Sequence, residues 1–245
     1  MLPDGRRIKQ GLLLRGGGLA CASDEDLKCL SEDYHVAKIF DFRTSMEVRR
    51  SPDKPVKGAM NIWMPAFDEE SQKMQKLSLP SEAYADLGNW LVRNGKDPRV
   101  QEVAREMYIE MVRNEFTQVQ YAGFLMNIVQ TPEGAVYWHC SQGKDRTGIG
   151  AAFLLCALGA DRKLIMEDYA ISGQYYQEEL DSYLCQVDSE EERAVLQTFV
   201  SVNCEYFEAA LDYIDEHWGS LPNYLSEALL LGEDDIRTLR ERYLE

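Results

Sequence analysis

Cys140 and Arg146 stand six positions apart in the run His139-Cys140-Ser141-Gln142-Gly143-Lys144-Asp145-Arg146-Thr147-Gly148. A thiol and a guanidinium so spaced can face each other across a coiled loop, the sulfur behind a phosphoryl group and the guanidinium along two of its oxygens. Gly143 supplies backbone freedom where the loop must approach a ligand closely. A helix read from Thr147 through Phe153 and Leu154 to Leu158 points its positive end at the same spot, which favours a bound anion and the thiolate form of Cys140. These residues read as a phosphate pocket with a nucleophile at its floor, bounded by Ser141, Gln142, Gly143, Lys144 and Arg146. Spacing alone does not carry this reading. Cys156 and Arg162 are also six apart, yet Cys156 lies inside the apolar helix and reads as core.

Such a loop needs a strand before it and a frame around it. Ala135 to His139 reads as that strand, and Leu12–Leu14, Val36–Phe42 and Met60–Met64 as others, with a short helix from Asp24 to Leu30 between the first two. From Phe116 the apolar positions Val119, Phe124, Leu125, Ile128 and Val129 recur at helical spacing ahead of the turn Thr131-Pro132-Glu133-Gly134. This alternation predicts an α/β fold, a central and largely parallel sheet flanked by helices, with ligands at the carboxyl ends of the strands. The C-terminal third is helical by pattern. Tyr206, Phe207, Ala210, Leu211, Ile214 and Trp218 form one stripe, ended by Gly219, and Ile236, Leu239 and Tyr243 form another; both read as core faces. Asp188 to Arg193 reads as a helix start with an acidic first turn. Arg49, Arg50, Lys54 and Lys57 read as a solvated loop, contact with an anionic headgroup being the alternative.

Composition narrows the partners. A chain of 245 residues suffices for one substantial core, and no linker marks a second unit, so one domain over 1–245 is expected. Net charge of −16 argues against nucleic acid, which is bound mainly through clustered lysine and arginine. No apolar run approaches a membrane span, so stable membrane insertion is not expected. The N-terminus Met1-Leu2-Pro3-Asp4-Gly5-Arg6-Arg7 lacks the stretch of a signal peptide, which points to the cytoplasm unless a leader has been removed. Cysteines at 21, 29, 140, 156, 185 and 204 show no paired short spacing, and His35, His139 and His217 are far apart. Neither a zinc site, another metal site nor a disulfide framework is suggested, and no cofactor is expected.

The run HCSQGKDRTG resembles the signature loop of cysteine-dependent protein tyrosine phosphatases. Its GKDRTG form is similar to the bacterial tyrosine and lipid phosphatase branch, which includes secreted mycobacterial and listerial enzymes. Leu14-Arg15-Gly16-Gly17 and Ile39-Phe40-Asp41-Phe42-Arg43-Thr44 with Glu47 are similar to that branch's arginine–glycine and Asp-Leu-Arg segments. Glu167-Asp168-Tyr169-Ala170-Ile171-Ser172 and the Tyr206–Leu230 region, with Gly219-Ser220-Leu221 and Tyr224-Leu225, look like its remaining landmarks. The stretch from Pro65 to Val103 matches poorly.

The resemblance implies a tyrosine-phosphatase-like fold and a phosphomonoesterase that works through a phosphocysteine on Cys140. Backbone amides from Ser141 to Arg146 are expected to cradle the nonbridging oxygens, with Arg146 tightening in the transition state. Thr147 can donate its hydroxyl to the departing sulfur, a role the resemblance also implies, or simply cap the helix. The branch implies Asp145 as the acid, with Asp68 in Met64-Pro65-Ala66-Phe67-Asp68 as the fallback. His139 is expected to orient the loop. Arg43 and Glu47 are expected to form a structural ion pair, Arg15 and Asp41 to be scaffold with Arg15 as a possible orienter of Asp145, and Asp168 and Tyr169 to pack beneath the site. Phosphotyrosyl proteins are the expected substrates, with phosphoinositides as a second class favoured by Lys144. Two rival chemistries use similar loops: an arsenate-reductase or sulfurtransferase-like enzyme, and a phosphate-reading binding module.

Overall fold

The computed structural model describes residues 1–69, 93–94, 98–175 and 201–245, with isolated positions between 177 and 197. Most of the weakly matched 65–103 stretch, and much of Asp188–Arg193, lie outside the described residues. Strands Leu13–Gly16 (β1), Val36–Asp41 (β2), Met60–Trp63 (β3) and Ala135–His139 (β4) form one sheet in the order β1-β4-β2-β3. Every neighbouring pair is parallel. β4 has the bounds read from sequence, whereas the first strand starts and ends later than Leu12–Leu14. Its pairing with β4 continues through Arg15 opposite Trp138 and Gly16 opposite His139, which holds both residues extended.

Between and after the strands lie Asp24–Lys28 (α1), Ser45–Arg50 (α2), Pro98–Arg113 (α3), Glu115–Val129 (α4), Asp145–Leu158 (α5) and Arg162–Tyr175 (α6). Cys204–Trp218 (α7), Leu221–Glu227 (α8) and Glu233–Tyr243 (α9) complete the chain. Polar side chains set several of these starts. Asn114, Asn203 and Ser220 accept from first-turn amides of α4, α7 and α8, satisfying donors that a helix end leaves open.

The two-residue period of β4 divides the interior. Val136, Trp138 and Cys140 face a large core with Phe40, Phe42, Tyr121, Phe124, Phe153 and Phe207, while Ala135 and Tyr137 face a smaller one with Leu19, Val36, Ile39 and Val56. Phe124 lies edge-on to both Phe40 and Phe42, with centroids 5.2 and 5.1 Å away. Burying each such ring contributes about 1.5–3 kcal/mol, which welds α4 to β2. The C-terminal stripes turn inward as their spacing requires: Phe207, Ala210, Leu211 and Ile214 of α7 and Leu239 and Tyr243 of α9 are buried. Arg7 and Glu245 exchange backbone hydrogen bonds of 2.8 and 2.9 Å, tying the two ends together. Among the described residues no helix is long and apolar enough to cross a membrane.

Candidate active site

Parallel strands with level ends deliver their following loops to one edge of the sheet. Gly16 and Asp41 both lie opposite His139, and Trp63 lies opposite Asp41. Cys140, buried at the end of β4, is therefore ringed by the chain leaving β1, β2 and β3. The 141–144 loop rests on the glycines after β1. Gly143 has φ of +74°, and a side-chain carbon there would stand 2.3 Å from the carbonyl carbon of Gly16. Gly18 N–H donates to the Ser141 carbonyl at 3.1 Å, and Tyr137 Oη donates to the Gly17 carbonyl at 2.7 Å. Gly143 is thus needed twice, for its backbone angle and for its missing Cβ.

Arg146, in the first turn of α5, reaches back over the loop. Its Nη1 and Nη2 donate to Glu47 Oε2 and Oε1 at 2.6 and 2.7 Å, and Ser141 Oγ donates to Glu47 Oε1 at 2.5 Å. Glu47 can do this because Thr44-Ser45-Met46-Glu47 is a capping box at the start of α2. Thr44 N–H donates to Glu47 Oε2 at 2.8 Å, which folds the carboxylate toward the sheet edge. Burial opposes the charge on each partner but is outweighed. The Glu47 carboxylate raises Arg146 above its ordinary pKa, and Arg146, Ser141 and Thr44 hold Glu47 far below the usual carboxylate range. The Phe67 ring lies 5.5 Å from the guanidinium carbon, so the segment carrying Asp68 borders the loop.

α5 is anchored from beneath. Tyr121 Oη donates to the Arg146 carbonyl at 3.0 Å and Trp138 Nε1 to the Thr147 carbonyl at 3.1 Å. Lys144 occupies the N-cap position with no capping side-chain bond, and the Thr147 hydroxyl is fully buried with no hydrogen-bond partner among the described residues. Both features suit a helix end built to receive an anion. Lys144 is itself buried; its Nζ donates to the Ser201 carbonyl at 3.2 Å and lies 3.7 Å from Asp145 Oδ2. Asp145 accepts a hydrogen bond from Tyr108 Oη on Oδ1.

A family model described as the tyrosine phosphatase family matches residues 2–245. The chain belongs to that family. It is 30% identical over 243 residues to a Cupriavidus necator protein named as a tyrosine-protein phosphatase, covering 98% of this chain and 81% of that one. It is 26% identical over 240 residues to the triple specificity protein phosphatase PtpB of Mycobacterium tuberculosis, covering 90% and 87%. A tyrosine-protein phosphatase of Nostoc commune is 39% identical over 70 residues, 29% of this chain and 23% of that one.

For this phosphatase family member the structure revises several local expectations. Glu47 pairs with Arg146, not with Arg43 four residues away. Arg43 instead bonds Asp41 through Nε and Nη2, at 2.9 and 2.7 Å, and Asp53 through Nη2 at 2.6 Å. The capping box turns Glu47 away from Arg43, and Asp53 takes its place. Arg15 does not orient Asp145: its guanidinium lies 2.9 Å from Asp168 Oδ2 and donates to Ser172 Oγ at 2.6 Å. The Asp168 carboxyl, pushed up by burial, is partly offset by that arginine. Tyr169 does lie beneath the loop, 2.7 Å from where a Cβ on Gly148 would be. Cys156 is buried in α5, and burial pushes its thiol up to about 12, unlike a nucleophile's environment.

His139 Nδ1 approaches the Cys140 carbonyl oxygen at 3.0 Å, and Nε2 lies 3.2 Å from Asp53 Oδ2, out of line for a hydrogen bond. Asp41, Asp53 and His139 bring metal-ligand atom types within 4.8 Å of one another. The cation there is Arg43, which both carboxylates already bind. Asp53 also accepts from Leu19 N–H at 2.6 Å, so it joins the exits of β1, β2 and β4. Asp53 and Tyr108 were not found from sequence, because neither lies in a recognisable motif.

Proposed function

We propose that residues 1–245 form one phosphatase domain that hydrolyses phosphomonoesters, phosphotyrosine foremost, through a phosphocysteine on Cys140. The bidentate grip of Glu47 on Arg146 carries this reading. It takes one hydrogen from each Nη, and Phe42 O lies 3.5 Å from Nη1. The side-on edge of the guanidinium, Nε–H with the second Nη2 hydrogen, is left for two phosphoryl oxygens. Amides from Ser141 to Arg146 hold the remaining charge.

In the first step the Cys140 thiolate forms an S–P bond as the P–O bond to the leaving group breaks, and Asp145 gives its proton to that oxygen. In the second, water attacks phosphorus, Asp145 takes the water's proton, and sulfur departs as thiolate with the Thr147 hydroxyl donating to it. Asp68 serves as the acid only if substitution of Asp145 leaves the rate on alkyl phosphates intact. A nucleophilic thiol suits a reducing setting such as the cytoplasm.

Phosphoinositides form a second substrate class in this proposal. Lys144 adds a cation beside the transferred phosphate, which favours ligands with further negative charge. The Mycobacterium tuberculosis relative's name, triple specificity, supports a range wider than phosphotyrosine. A metal-free assay of phosphotyrosyl peptides, phosphoseryl peptides and soluble short-chain phosphoinositides tests this. Hydrolysis of the first and third is expected, with Lys144→Ala reducing the third more than the first. Equal loss on both would remove the lipid half, and no turnover of any ester would favour a phosphate-reading module or an arsenate-reducing enzyme.

A further inference from the structure

Two buried tyrosines that lie outside the signature loop converge on its aspartate. Tyr108 Oη, from α3, donates to Asp145 Oδ1; Tyr169 Oη, from α6, lies 2.7 Å from Tyr108 Oη and 3.4 Å from the same Oδ1. Both rings are fixed by their neighbours. Tyr169 stacks on Phe207 with centroids 3.9 Å apart, and Tyr108 lies 5.9 Å from Tyr206. Both side chains are nearly inaccessible to water. The other oxygen, Asp145 Oδ2, lies 3.7 Å from Lys144 Nζ.

We propose that Tyr108, backed by Tyr169, is a positioning residue that ties Asp145 Oδ1 so that Oδ2 is the oxygen that exchanges a proton with the leaving group and then with water. This rests on Asp145 being the acid. A carboxyl group accepts on its carbonyl oxygen in either protonation state, so the Tyr108 bond persists while the proton comes and goes on Oδ2. The tyrosines remain donors throughout, because burial, reinforced by the nearby Asp145, raises both hydroxyls well above the ordinary tyrosine pKa. An acid whose carboxyl plane is set by two outside helices is already aimed when substrate arrives, which is where positional precision acts on the rate.

The test compares Tyr108→Phe, Tyr169→Phe and Asp145→Asn on phosphate esters whose leaving groups run from an activated phenol to a simple alcohol. Tyr108→Phe is expected to lose roughly 10- to 100-fold in kcat on the alkyl ester, less than the roughly 10²–10⁴-fold that general acid–base catalysis contributes in full, with little loss on the activated aryl ester. KM should stay within about twofold. Tyr169→Phe should show the same graded pattern, less steeply. A uniform loss across the series, or none, in Tyr108→Phe overturns the positioning role. If Tyr108→Phe does not fold, Tyr169→Phe decides by the same criterion. Asp145→Asn separates the two layers: a graded loss there with a flat Tyr108→Phe rejects the tyrosines alone, whereas a flat Asp145→Asn rejects the acid and this proposal with it.

Discussion

Replacing Glu47 with Gln keeps the shape of the side chain and removes the charge that holds Arg146. Arg146 is almost wholly buried, with 12% of its side chain exposed against 31% for Glu47. Breaking a buried pair by removing one partner costs about 3–5 kcal/mol, because the other charge is left uncompensated. The partial exposure of Glu47 screens some of this, so we expect about 2–3 kcal/mol at neutral pH. For a chain of this length that is a fall of roughly 5–10 °C in Tm. The pH dependence has a definite sign. Folding lowers the Glu47 pKa from its ordinary 4.5, so its stabilisation is fully present above that pH and fades as pH falls toward the depressed folded value. The difference between wild type and Glu47→Gln in urea unfolding should therefore be largest near pH 7 and shrink below pH 4.5. Turnover should fall as well, roughly 10- to 100-fold in kcat, short of the 10²–10³-fold seen when a transition-state donor is removed outright. Unchanged stability with unchanged kcat would mean that Glu47 neither holds nor aims Arg146, and the side-on clamp would have to be abandoned.

Gly143→Ala should cost about 2–5 kcal/mol from the positive φ and the overpacking against Gly16, and should abolish turnover while circular dichroism still reports a folded protein. A fully active Gly143→Ala would show that the loop does not rest on the β1 glycines. Arg146→Lys should lose roughly 10²–10³-fold in kcat, since a point charge cannot make two parallel hydrogen bonds to a phosphoryl group. A rise in KM with kcat intact would make Arg146 a ground-state binder.

The frame was legible in the sequence for a physical reason. Parallel strands buried on both faces, such as Ala135–His139, announce themselves as apolar runs, and the helical stripes of α7 and α9 repeat at their own period. The Cys140-to-Arg146 loop was legible as a motif because its residues are packed into seven consecutive positions. What sequence reading misplaced depends on contacts across the fold. The four-residue spacing of Arg43 and Glu47 suggested a pair, but the Thr44–Glu47 capping box, itself a readable signal, had already committed the carboxylate to a different direction. Asp53 and Tyr108 stand 86 and 37 positions from His139 and Asp145, the residues they lie against, the first in a loop and the second on a helix. No periodicity marks such residues; only the packing of α3 and α6 against α5 brings the tyrosines to the aspartate.

Rapid acid quench during turnover of an aryl phosphate, followed by mass spectrometry of the digested protein, tests the phosphocysteine directly. A phosphoryl group should appear on the peptide carrying Cys140. It should persist in Cys156→Ser, which keeps its turnover, and be absent from Cys140→Ser, which should stay folded and bind phosphate without hydrolysing the ester. A Cys140→Ser protein that still turns over, or a phosphoryl group found on any other residue, would contradict the assignment of Cys140 as the nucleophile.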